Sequence, residues 1–196
     1  MIDLVDQAEA KGLLAPYVAI IRKAMDEGWN RWEELGNGAS HLKHPLLART
    51  RANFISDHIA HFIDQRFRGD KHALVTKDRG FLLLNIRGKL LIRFKKLDKN
   101  GRSRNILTKQ QRLFAFQRPL PGLEDETRLT AGYRLDELQI GIQDVLITCP
   151  VGKEMRWMYT IEAPAAMVMP LPALQPSAKS PKVRVRARDI GDRKKA

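Results

Sequence analysis

At His72 the apolar residues of this chain change their spacing, and that change divides what the two halves can build. Before it, Tyr17, Ile20, Ile21, Ala24, Met25, Gly28, Trp32 and Leu35 recur at three- and four-residue intervals. They mark one face of a helix opened by Pro16 and stopped by Gly36-Asn37-Gly38. Leu47, Phe54, Ile55, Ile59, Phe62, Ile63 and Phe67 form the buried stripe of a second helix over residues 45–67, closed by the turn Arg68-Gly69-Asp70. Residues 4–10 are a weaker helical stretch.

After His72 the pattern is that of strands. Phe81-Leu82-Leu83-Leu84 is short and continuously apolar. In residues 89–95, Leu90, Ile92 and Phe94 point one way and Lys89, Arg93 and Lys95 the other. Arg87-Gly88 between the two runs predicts a tight hairpin. Thr108 followed by Gln111 predicts a capped short helix through Gln117. Alternation then predicts strands over residues 129–135, 139–149 and 155–161. In the middle one, the inward set shifts phase from Ile140 and Ile142 to Val145, Ile147 and Cys149, which predicts a bulge near Gln143-Asp144. The expected class is α+β: N-terminal helices packed on a mainly antiparallel sheet, with one inserted short helix.

The chain of 196 residues is long enough for one domain and a tail. Residues 1–162 are expected to form a single α+β domain. Pro164, Pro170, Pro172 and Pro176 predict an extended segment over 163–176, and the charged residues 177–196 predict a basic disordered tail. The single cysteine, Cys149, excludes an intrachain disulfide, and no apolar run is long enough to span a bilayer. The expected location is the cytoplasm, with no membrane partner.

Charge supplies the functional expectation. The net charge is +13, and residues 87–118 carry eleven Lys or Arg against one acid, Asp98. So local an excess predicts a polyanion-binding face, and Arg93, Lys95, Lys96, Lys99, Arg102, Arg104, Lys109 and Arg112 are the candidate nucleic-acid contacts. An acidic protein partner is the alternative occupant of that face.

Whether the chain is an enzyme is open at this level. A metal-dependent nuclease needs an acid-x-Lys pair, but the strand offers Arg93-Phe94-Lys95, where a cation replaces the carboxylate. A metal-independent RNase could draw on His72, Lys77, Arg79, Arg93, Lys95 or Tyr133. His41, His44, Asp57, His58, His61 and Asp64 contain potential metal ligands, yet their spacing matches no zinc signature and no metal is expected. Glycine-rich nucleotide loops are absent, so no cofactor is expected.

Gly88-Lys89-Leu90-Leu91-Ile92-Arg93-Phe94-Lys95-Lys96-Leu97-Asp98, Leu107-Thr108-Lys109-Gln110-Gln111 and Leu129-Thr130-Ala131-Gly132-Tyr133-Arg134-Leu135 resemble uncharacterised bacterial proteins encoded beside helix-turn-helix or metallopeptidase-type regulators. The resemblance covers residues 45–162. It implies the toxin of a toxin–antitoxin or phage-defence module, with a protein antitoxin or regulator as partner, and it carries over no catalytic residue.

Overall fold

The computed structural model describes residues 4–39, 47–78, 81–103, 108–118 and 126–162, all within one compact unit that ends at Pro164. Residues 163–196, together with Arg79, Arg104, His41 and His44, lie outside the described residues.

Three helices come first: α1 (Gln7–Leu14), α2 (Val18–Gly38) and α3 (Ala48–Arg66). Asp6 caps α1 by accepting from the Glu9 backbone N–H at 2.8 Å. Gly36-Asn37-Gly38 does not stop α2 but forms its last turn, because the Ala39 N–H still reaches the Leu35 carbonyl. Helices α2 and α3 pack closely at Gly28, where an added Cβ would lie 2.7 Å from Ile59 Cγ1 and 3.0 Å from the Ile55 carbonyl oxygen.

A six-stranded sheet follows: β1 (Ala73–Asp78), β2 (Phe81–Ile86), β3 (Leu90–Lys96), β4 (Thr127–Leu135), β5 (Ile142–Val151) and β6 (Glu154–Ile161). The strands lie in sequence order, and every pair is antiparallel except β3–β4. A parallel pair needs a crossover, and that crossover contains the short helix α4 (Lys109–Ala115), capped by Thr108 Oγ1. The fold is therefore α+β.

Strand β1 is the one element that periodicity did not mark. It holds a single fully buried apolar residue, Ala73, and Leu74 is exposed, so its alternation is faint. The hairpin at Arg87-Gly88 forms as expected, with both residues at positive φ (53° and 66°) and the Lys89 N–H donating to the Ile86 carbonyl at 3.0 Å; the pairing of Ile86 with Leu90 leaves Arg87, Gly88 and Lys89 in the loop. The bulge also falls where the phase shift placed it: Arg134 faces Asp144 and Leu135 faces Ile142, leaving Gln143 as the extra residue.

Alternation gives the sheet two buried faces. Leu84, Ile86, Leu90, Ile92, Leu129, Ala131, Val145 and Ile147 join Ile21, Met25, Ile55, Ile59 and Ile63 of the long helices in the main core. On the opposite face Leu83 and Leu91 pack with Phe114 of α4 in a smaller cluster. The N-terminal segment ties into the sheet, with the Val5 N–H donating to Thr127 Oγ1 at 2.9 Å and Trp157 Nε1 donating to the Val5 carbonyl at 3.3 Å.

At the base of the α4 face, a buried glutamine substitutes for sheet pairing. Gln117 Nε2 donates to the carbonyls of Arg128 and Pro150, both at 2.8 Å, while its Oε1 accepts from the Arg128 N–H at 2.9 Å. One amide thus bridges β4 and β5 beyond the end of their ladder, at a backbone φ of 52°.

Candidate nucleic-acid interface

The polar side of β3 is not open to solvent. Helix α4 covers it, and Arg93 retains only 5% exposure. Its guanidinium is held from three directions: Nη2 donates to Ser103 Oγ at 3.0 Å, Nε to Thr130 Oγ1 at 3.4 Å, and Cζ lies 4.5 Å from the Phe114 ring centre. No carboxylate pairs with it among the described residues. Desolvation lowers its pKa to about 10, so it remains a cation at neutral pH.

Ser103 reaches Arg93 through a tight turn. The Asp98 carboxylate accepts from the N–H groups of Asn100 and Arg102, and the Leu97–Ser103 bridge closes the loop. The only acid in the basic stretch therefore holds the turn that carries Arg102 and Ser103.

Above this floor the cations are exposed. Arg102 lies on the turn, Lys109 and Arg112 on α4 one turn apart, Arg118 just after it and Lys153 in the β5–β6 turn. None of the five has an ion-pair partner among the described residues. Chain connectivity separates Lys153 from the others by dozens of residues. The β5–β6 turn nonetheless docks on α4, its Gly152 N–H donating to the Ala115 carbonyl at 2.7 Å. Lys153 and Arg118 thereby extend the surface expected from Arg102, Lys109 and Arg112.

The remaining candidate contacts separate from that surface. Lys95 shares Arg93's side of β3 and is half-buried; desolvation first, then the Arg93 charge, lowers its pKa. Lys96 points to the opposite side, where its Nζ lies 3.4 Å from Gln139 Oε1. Arg51 of α3 closes the same corner by donating to the Gln139 carbonyl at 3.1 Å and to its Oε1 at 2.6 Å. A cavity of about 710 Å³ lies there, at the carboxyl ends of β3 and β4, and its wall mixes Lys95, Lys96, Lys99 and Arg134 with Asp98, Asp136 and Glu137. Mixed charge of this kind does not select a polyanion. Of the eight cations read from sequence as one face, Arg93 is a buried guanidinium, Arg102, Lys109 and Arg112 are an exposed group around α4, and Lys95, Lys96 and Lys99 line the mixed-charge cavity. Arg104 is outside the described residues.

The groups considered for RNA cleavage do not converge. Arg93 and Tyr133 occupy opposite faces of the sheet, and burial holds the Tyr133 hydroxyl far above the usual range. Lys77 pairs with Asp64 at 3.6 Å. His58 packs on Phe54 with ring centres 4.5 Å apart, and no group of three or more His, Cys, Asp or Glu suited to a metal occurs among the described residues. No helix among them is long and apolar enough to cross a membrane.

What the fold defines is a class: an α+β unit whose sheet carries a basic helix and turn on the face opposite its long helices. In comparisons with protein-family models, curated proteins and solved structures, nothing matches the chain.

Proposed function

We propose that this chain is a nucleic-acid-binding protein that grips phosphates through Arg102, Lys109 and Arg112, extended by Lys153 and Arg118. The observation that carries the reading is five exposed cations around α4 without an ion pair among the described residues, in a chain of net charge +13. Such a surface neutralises backbone charge and releases counterions, so binding is salt-dependent and indifferent to base sequence. In the cytoplasm of a bacterium, and beside a regulator that restrains it, such binding is the activity of a toxin. That context rests on the sequence resemblance.

Fluorescence anisotropy with DNA and RNA at low salt tests the interface. Reversing Arg102, Lys109 and Arg112 to Glu abolishes binding if the surface is the contact. Unchanged affinity in a folded variant sinks the reading, and binding only to an acidic protein assigns the surface to a protein partner instead.

A further inference from the structure

Under α4 lies a cavity of about 210 Å³, below the ~300 Å³ at which drug-sized pockets begin. Its wall includes Arg93, Ser103, Thr130 and Thr148 toward the sheet, Gln111 from α4 and Lys153 from the β5–β6 turn. Arg102 also lines it, and Glu154 is its single acid among the described residues.

Two buried polar atoms on side chains that line it have no hydrogen-bond partner among the described residues: Arg93 Nη1, a donor, and Gln111 Oε1, an acceptor. Both belong to side chains at least nine-tenths buried, with exposures of 5% and 9%. A buried cation without a counter-ion is costly to the fold, and an unpaired donor adds to that cost. An anion with a hydroxyl attached offers a partner to each once the two side chains turn toward the cavity they line. A phosphate monoester has that chemistry, its oxygens accepting from the guanidinium and a P–OH or sugar hydroxyl donating to the glutamine.

We propose that the Arg93 cavity binds a single phosphate monoester, presented by the terminus of a nucleic-acid strand or by a free nucleotide. This deepens the reading of the α4 surface and rests on it for the strand as a source: the exposed cations hold internal phosphates while Arg93 recognises an end. Ser103, Thr130 and the Phe114 ring hold the guanidinium in place, so Arg93 is a binding residue and those three are positioning residues.

The test uses the full chain and internally labelled single strands of one sequence with a 5′-phosphate, a 3′-phosphate or two hydroxyl ends. In parallel, a nucleoside monophosphate and inorganic phosphate are titrated by ³¹P NMR. One phosphorylated end is expected to bind about tenfold or more tighter than the hydroxyl-ended strand, as the loss of one charge-assisted hydrogen bond would imply. Arg93→Gln removes that preference and leaves hydroxyl-ended binding in place. Ser103→Asp guards against a folding defect in the first variant: it supplies Arg93 with an internal carboxylate, raises the melting temperature and also removes the preference. Arg93-dependent binding of the monophosphate without any end preference supports the cavity and identifies free nucleotide as its source. Equal affinity for all three strands and unperturbed ³¹P signals overturn the proposal while leaving the surface reading intact. Monophosphate binding with no strand bound overturns the surface reading and leaves the cavity.

Discussion

The Arg93 guanidinium carbon lies 4.5 Å from the centre of the Phe114 ring, so the crossover helix meets the middle of the sheet through a cation as well as through hydrocarbon. Leu83 and Leu91 alone are a small apolar base for a helix of seven residues, and the guanidinium completes it.

Arg93→Met should leave the fold as stable as before or more so. Replacing a buried ion with an apolar side chain of similar volume is often neutral or gains about 1–4 kcal/mol, and Arg93 lacks a carboxylate partner among the described residues. Urea unfolding of the two proteins measures it. A loss beyond about 1 kcal/mol would show that the hydrogen bonds to Ser103 and Thr130 outweigh desolvation.

Gln117→Ala should be among the most damaging polar substitutions. It removes three buried hydrogen bonds, at about 0.5–1.5 kcal/mol each, and leaves the backbone of Arg128 and Pro150 unpaired. Gln117→Gly separates two effects, since glycine relieves the positive φ but does not restore the amide. Denaturation midpoints of both variants near that of the wild type would refute the bridge.

Salt dependence should distinguish the two sides of the sheet. On duplex DNA, reversing Lys109 and Arg112 should flatten the slope of log K against log salt by about 0.9 for each phosphate no longer neutralised. Reversing Lys96, which lines the cavity of mixed charge, should change it far less. Equal changes in slope would mean that both faces touch the ligand.

Cys149 should resist thiol reagents in the native protein. Its burial raises the thiol pKa to about 11, only partly offset by Arg156, so the native state holds no appreciable thiolate at pH 8. Reaction with a chromogenic disulfide should be slow until denaturant is added. The sign for stability follows from proton uptake: above the unfolded thiol pKa of ~8.5, the unfolded chain loses this proton first. This group's contribution, fully present below that pH, therefore falls as pH rises through about 11.

Helices α2 and α3 and strands β3 to β6 were legible because each carries a regular apolar stripe, and even the Gln143 bulge showed as a break in alternation. Strand β1 was not, since an edge strand exposing Leu74 needs little apolar patterning. Gly36-Asn37-Gly38 reads locally as a stop, but the three residues form the last turn of α2, closed by the Ala39 N–H on the Leu35 carbonyl.

The basic surface was legible as charge and not as geometry. Residue types and alternation alone determined that Arg93 and Lys95 share one side of β3 and that the stretch is strongly positive. Only tertiary structure decided which of those cations meets solvent, because the same alternation holds whether the polar side faces water or a helix. The parallel β3–β4 crossover lays α4 across that side, burying Arg93 against Phe114 and drawing in Lys153 from a distant turn. Burial and neighbourhood are properties of the crossover, and no local pattern encodes its path.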